Sequence, residues 1–314
     1  MLLLATAVLG GPFAAPAAAA ACPADLQPAA AAQRQAANPP DEQLRGIDRG
    51  FLWSLSKDGR VSWLFGSVHV GRPAWALPGP ALAKAFAATD TLALELDPFD
   101  PTLAGRLTAA ARAVNDRFAV DAALRQRLEH LTTCAGLAAA GQLPGALQLM
   151  ALTLSAARHQ GLRVEDGQEL MLAAMARSAQ RPIAALESVD QQLTALLPQD
   201  PLQARLMLEQ GLRQLESGRA AASLLRLTRG WADGDLHTMQ SYAQWCDCAD
   251  TAAERALLTR LNDDRNPHLA HAIGMLHDQG RSVLAAVGAL HMTGPQALPR
   301  LLAEQGFLVQ RVQY

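Results

Sequence analysis

Two short segments of this 314-residue chain share one form. Leu64-Phe65-Gly66-Ser67-Val68-His69 and Ala286-Val287-Gly288-Ala289-Leu290-His291 each run from an apolar stretch, through a glycine, to a histidine three residues further on. The apolar run predicts a buried strand, and the glycine permits close backbone approach where the strand ends. The histidine then projects from the carboxyl end of a strand, where α/β sheets build their sites. The two motifs are far apart in sequence, but adjacent strands of one sheet would make them neighbours. Glu95 is the third unusual residue. It interrupts the apolar run Thr91–Leu96, which reads as a strand with Leu92, Leu94 and Leu96 on one face and Ala93 and Glu95 on the other. Burying a carboxylate without a partner is costly, so Glu95 is expected to meet a metal, a histidine or an arginine. His69, Glu95 and His291 make a two-histidine, one-carboxylate set. Such a set can hold a divalent ion and leave a position open for water. The ion would acidify that water and polarise a carbonyl.

Other polar residues have plainer readings. Arg265 suits a surface charge at a helix entry, or an anchor for a substrate carboxylate or an oxyanion. Asn266 precedes Pro267 and reads as a helix N-cap. Glu187 follows a short apolar run and could face the same cleft. His268 and His271 share a helix face but lack the His-Glu-x-x-His form. His130, His159, His237 and His277 read as ordinary helix or loop residues. Trp53 and Trp63 suit hairpin packing. Ser67 is not spaced from His69 as a nucleophile would be. The chain contains no Gly-x-Gly-x-x-Gly, no phosphate loop and no Gly-x-Ser-x-Gly elbow.

The elements that must position these residues follow from the patterning. Half the residues are hydrophobic and 18% are charged, which argues against disorder over most of the length. A net charge of −2 argues against a general nucleic-acid partner. Lys57-Asp58-Gly59-Arg60 separates the apolar runs Phe51–Leu55 and Val61–Val68, a strong hairpin signal. A short helix is expected over Pro78–Thr89. Helical spacing fills about 101–177 and 191–244, with a short strand at Ile183–Leu186 between them. Pro267 and Pro295 open further helices. Val283–Val287 and Phe307–Val312 complete the strands. The expected fold is mixed α/β: a central sheet built from N- and C-terminal strands, with a large helical insertion at about 101–265. One domain would span 45–314, after an extended lead-in at 22–44.

Residues 1–21 are apolar and Ala-rich and end in small residues before Cys22. They resemble a secretory signal peptide, although a positive n-region is missing. Gly10, Gly11, Pro12 and Pro16 break the stretch as a membrane span, so no span is expected after signal cleavage. An exported protein, periplasmic or secreted, is expected. Ala20-Ala21-Cys22 also resembles a lipoprotein site in outline, without the leucine usual three residues before the cysteine. Export makes Cys22, Cys134, Cys246 and Cys248 disulfide candidates. A bridge from Cys22 would staple the mature N-terminus to the body. Cys246 and Cys248 are separated by one residue, so each is expected to pair elsewhere. A bridge from Cys134 to that pair would be worth about 4–5 kcal/mol. The Cys-x-Cys spacing is too short for a typical structural zinc site.

Taken together, LFGSVHVG at 64–71, LALELD at 92–97, DDRN at 263–266 and AAVGALHMTGP at 285–295 resemble the TraB/GumN family. That family is related to the Tiki metalloproteases and, more distantly, to the erythromycin-esterase and ChaN-like superfamily. ALESVDQQ at 185–192, WADGD at 231–235 and the segment 246–266 extend the likeness over residues 45–314. The resemblance implies site roles for Gly66, His69, Glu95, Arg265, Asn266, Gly288 and His291. It also implies a divalent ion, manganese or cobalt in the Tiki branch, with zinc a further candidate for such ligands. Where many members have Gly-Ile-Asp, this chain has Gly167-Gln168-Glu169, which puts a glutamate in the place of the aspartate. The implied activity is metal-dependent hydrolysis, most of all of peptide bonds, with a peptide or small-molecule substrate left open. A metal-independent esterase-like hydrolase and a non-catalytic accessory protein for an envelope polysaccharide are the alternatives.

Overall fold

The structure, a computed structural model, describes residues 21–27, 46–115 and 120–314. Residues 1–20 of the expected signal peptide, 28–44 of the expected lead-in and residue 45 of the expected domain lie outside them. Phe51–Lys57 (β1) and Arg60–Ser67 (β2) pair antiparallel, from Phe51 opposite Gly66 to Lys57 opposite Arg60. Asp58 and Gly59 both take positive φ, 51° and 73°, as a two-residue hairpin turn requires. The remaining strands are Thr91–Leu94 (β3), Ile183–Ala185 (β4), Val283–Gly288 (β5) and Leu308–Arg311 (β6). They form one sheet in the order β4-β3-β5-β2-β1-β6. The four strands β4, β3, β5 and β2 run parallel to one another, so their carboxyl ends share one edge. β6 lies antiparallel to β1.

Five strands come from the two ends of the chain, as the patterning predicts. The sixth, β4, rises from within the long helical stretch and lengthens the sheet beside β3. The helices are Pro80–Ala87 (α1), Leu103–Asn115 (α2), Ala122–Cys134 (α3), Gly145–His159 (α4), Gln168–Ser178 (α5), Val189–Leu196 (α6), Pro201–Glu216 (α7), Arg219–Ala232 (α8), Leu236–Gln240 (α9), Tyr242–Trp245 (α10), Ala252–Leu261 (α11), Asn266–Asp278 (α12) and Leu298–Glu304 (α13). None of the described helices is long and apolar enough to cross a membrane.

The sheet core buries Phe51, Leu64, Phe65, Leu92, Leu94 and Val283 together with Trp231 of α8. The Trp231 indole N–H donates to the Gly66 carbonyl at 2.7 Å, tying the helical layer to the first motif. A separate helical core gathers Leu124, Leu131, Leu152 and Leu212 with Leu26 of the N-terminal segment. Cys22 bonds to Cys134 across a separation of 112 residues and fixes that segment to α3. A loop of that length makes the bridge worth about 4–5 kcal/mol in the chain-entropy account.

Three local expectations are corrected. Cys246 and Cys248 bond to each other rather than elsewhere. Asp247 between them takes a left-handed φ of 57°, and this turn brings the two side chains together. Glu95 is not inside its strand but one residue past the end of β3. There the backbone still pairs with the neighbouring segment, since the Glu187 N–H donates to the Glu95 carbonyl. Asn266 does not cap α12. It is the first residue of that helix, and Arg265 occupies the cap position without a side-chain bond.

His277 is a core histidine. It is fully buried, with Nδ1 2.9 Å from Ser62 Oγ and Nε2 3.1 Å from the Lys57 carbonyl. Ser62 Oγ also accepts the Val283 N–H, so it gives its own proton to Nδ1 and Nε2–H donates to Lys57. His277→Leu leaves these groups unpaired and is expected to cost about 2 kcal/mol. Urea unfolding should show a lower midpoint with an unchanged slope.

Candidate functional site

Each of the four parallel strands ends in a segment that carries one polar group. Glu187 follows β4, Glu95 follows β3, His291 lies in the 3-10 turn after β5, and His69 follows β2. Register aligns Ser67 with Gly288 and Leu94 with Ala286, so the three central segments leave the sheet at nearly the same height. Gly66 allows the second motif to pack on the first. A side chain there would press within 3.1 Å of Met292, in the turn that carries His291. At Gly288 a Cβ would lie 3.4 Å from Glu95 Oε1, 3.6 Å from His291 Cδ2 and 3.8 Å from His69 Nε2. The two histidines and the glutamate therefore converge over Gly288.

Both imidazoles are held from behind. His69 Nδ1 is 3.1 Å from Glu169 Oε1, in the first turn of α5. Glu169 also accepts the Ser67 hydroxyl at 2.5 Å. His291 Nδ1 is 2.5 Å from Asn266 Oδ1. The Asn266 amide nitrogen donates to the carbonyls of His291 and Gln296, so its oxygen is the acceptor and His291 carries its proton on Nδ1. His291 Nε2 thus presents a lone pair. The Glu169 contact likewise leaves His69 Nε2 turned toward Glu95. Metal-binding histidines are commonly oriented by such an acceptor behind the ligating nitrogen.

Arg265 occupies the centre of the acidic side. Nε and Nη2 grip the Glu187 carboxylate at 2.9 and 2.5 Å, and Nη2 also reaches Glu95 Oε2 at 2.5 Å. Nη1 donates to the Leu261 carbonyl and to His291 Nε2 at 3.2 Å. These contacts use all five guanidinium N–H groups. The three charged side chains are at most 12% exposed. Glu95 also accepts from the Gly288 N–H and the Gln192 amide. Arg265 is thus neither a surface charge nor, in this arrangement, a free oxyanion donor.

The electrostatics follow from these partners. Burial pushes Glu95 toward its neutral form, but the imidazoles of His291 and His69, the Arg265 guanidinium and the Gly288 N–H outweigh it. Its carboxyl is held well below the usual range. Burial lowers His291 to about 4, despite the pull of Glu95, so it is neutral near pH 7. His69 is raised, chiefly by Glu169, although two thirds of its side chain faces water.

The TraB/PrgY/gumN family pattern matches residues 51–311, an interval that contains all of these groups. The chain belongs to that family. The uncharacterized protein YbaP of Shigella flexneri is 26% identical over 251 residues, 77% of this chain and 88% of that protein. No solved structure shows a significant match.

In this TraB-family chain the structure brings together His69, Glu95, Arg265, Asn266 and His291, with Glu187 beside them. Asn266 enters as the support of His291, a role that its position before Pro267 disguised. Gln192 and Ser67 were not predicted as contributors, and only the folded register reveals them. His268 stays apart, near Gln191, and His271 is exposed. Cys22, His130 and Cys134 place three potential metal-ligand atoms within 4.8 Å of one another. Two of these are the sulfurs of one disulfide, so the group could offer thiolates only after reduction.

Two outcomes are expected. Arg265→Met leaves Glu95 and Glu187 buried without a cation and should cost about 3–5 kcal/mol near pH 7. Glu95 is depressed in the folded wild type, so its share is present above the ordinary carboxylate value and lost as pH falls through the folded one. The destabilisation measured by urea unfolding should therefore shrink in acid. In metal-free protein, Glu169→Gln should lower the His69 pKa, read from its ring resonances by NMR. A raised folded value means that the wild-type pair stabilises fully below the ordinary histidine pKa and loses this as pH rises through the folded one.

Proposed function

We propose that this chain is an exported, metal-dependent hydrolase acting on peptide bonds, with its site at the carboxyl edge of β3, β5 and β2. One observation carries the reading: two imidazoles, each fixed at Nδ1 by a side-chain oxygen, turn toward one ionised carboxylate over Gly288. The residue types of this donor set suit a divalent ion, with His69, Glu95 and His291 as the residues that would hold it, although their donor atoms do not all lie within 4.8 Å of one another in this structure. Such an ion supplies a polarised carbonyl and a more acidic water. Glu169 and Asn266 keep the two rings turned inward. Arg265 keeps Glu95 charged and aligned, and is a positioning residue while all its N–H groups are engaged. Loss of its contact with His291 would free one N–H toward a developing oxyanion. The choice of peptides rests on the resemblance to the Tiki metalloproteases. Export is supported by the two disulfides, which persist in oxidising compartments.

One contact favours a second reading. Arg265 Nη1 already occupies the His291 lone pair that an ion would require. In a metal-independent hydrolase that contact would persist, and the solvent-facing His69, protonated beside Glu169, would serve as general acid.

The test is manganese binding to protein purified without a histidine tag, beside His69→Ala and His291→Ala. Wild type should take up about one equivalent, and each variant should bind at least about tenfold more weakly. Equal uptake by all three would exclude the metal-dependent reading. Peptide cleavage with and without manganese then separates it from the metal-independent one. Gly288→Ala provides a steric check. Its methyl makes only ordinary contacts, so folding should survive, while manganese affinity and cleavage should both fall.

A further inference from the structure

We infer that the Cys246–Cys248 disulfide is a thiol–disulfide exchange site, opened by a small dithiol under conditions that leave Cys22–Cys134 intact. The two bridges differ in what they constrain. Cys22–Cys134 spans 112 residues, whereas Cys246–Cys248 encloses one. Opening a bridge costs the fold the constraint that the bridge places on the unfolded chain, and a one-residue link places little. The short bridge also requires a special backbone. Asp247 sits at a φ of 57°, in the left-handed region that side chains other than glycine seldom occupy. Strained and accessible disulfides are the labile ones.

The surroundings give the exchange a direction. Cys246 is 1% exposed, whereas Cys248 is half-buried. A polar cleft of about 390 Å³ lies against the turn, lined by Arg213, Arg219, Asp247 and Glu254 among others. The Arg219 guanidinium contacts the Asp247 carboxylate at 2.5 Å, and Gln214 donates to the Asp247 carbonyl at 2.7 Å. These two contacts hold the turn from outside as well as through the bridge, so a reduced pair can close again. One thiolate of the dithiol attacks Cys248 Sγ, and Cys246 leaves as a thiolate. The second thiol of the reagent then attacks the mixed disulfide and releases Cys248. Two electrons and two protons pass to the protein, and the dithiol becomes a cyclic disulfide.

The experiment equilibrates the full oxidised chain in buffers of increasing reduced-to-oxidised dithiothreitol ratio. Alkylation traps the free thiols, and peptide mass spectrometry counts them. Cys246 and Cys248 should reach half-reduction at a ratio at least tenfold lower than Cys22 and Cys134. A Cys22–Cys134 bridge that opens at the same ratio, or earlier, overturns the inference. Asp247→Gly accepts the same backbone angle without strain and should raise the ratio needed to open the short bridge several-fold. Far-UV circular dichroism matching the wild type reports that this variant has folded. An unchanged ratio there overturns the role assigned to Asp247.

Discussion

The ion cluster centred on Arg265 is the constraint on which the site depends. Glu95 and Glu187 are each 6% exposed, and burying two carboxylates there without a cation would be costly. Arg265 meets both carboxylates with a planar fork that a lysine could not imitate. The same guanidinium reaches His291 Nε2, so it links the ends of β4, β3 and β5. A buried cluster of this kind is a weak source of net stability, since desolvation offsets much of the attraction. It acts instead by fixing geometry, because removal of any member leaves an unmatched charge.

That geometry is possible only because the sheet places four parallel strand ends side by side. β5 lies in the middle, flanked by β3 and β2. The helical stretch contributes β4 at one edge and α5 behind His69. It therefore supplies Glu187 and Glu169, the two carboxylates that hold Arg265 and His69. Residues from the beginning, middle and end of the chain thus meet along one edge of the sheet, across four adjacent strand ends. A large helical insertion is compatible with a precise site because its own strand re-enters the sheet.

The principal candidate residues that the fold brings together were legible in the sequence because each breaks a local pattern. A glycine and a histidine end an apolar run twice, and Glu95 interrupts a leucine-rich run. Their convergence needed only two parallel strands in one sheet. The supporting contacts were less legible. Asn266 has the local signature of an N-cap, and nothing in its neighbours announces that its side chain turns to His291. Arg265 could be listed as a site residue, yet its complete set of five hydrogen bonds depends on acceptors from three other segments. The Cys246–Cys248 bridge was missed for a different reason. Sequence spacing alone disfavoured it, and the left-handed turn at Asp247 that permits it is a property of the fold.

The two Gly-x-x-His motifs also show how one local pattern can yield unlike chemical groups. His291 follows the central strand β5, is 4% exposed and rests on a neutral amide, so burial dominates and it remains uncharged near pH 7. His69 follows β2, faces water and rests on a carboxylate, so the neighbouring charge dominates and its proton is held more tightly. The glycines differ as well. Gly66 makes room for the Met292 side chain, whereas Gly288 leaves space at the point where the polar groups meet. The repeat in the sequence is therefore a repeat of strand-end geometry, and the sheet position of each strand decides what its histidine can do. An exposed, proton-retaining imidazole therefore stands opposite a buried, neutral one whose Nε2 meets Arg265. That asymmetry lets a single carboxylate, Glu95, interact with both without being neutralised by either.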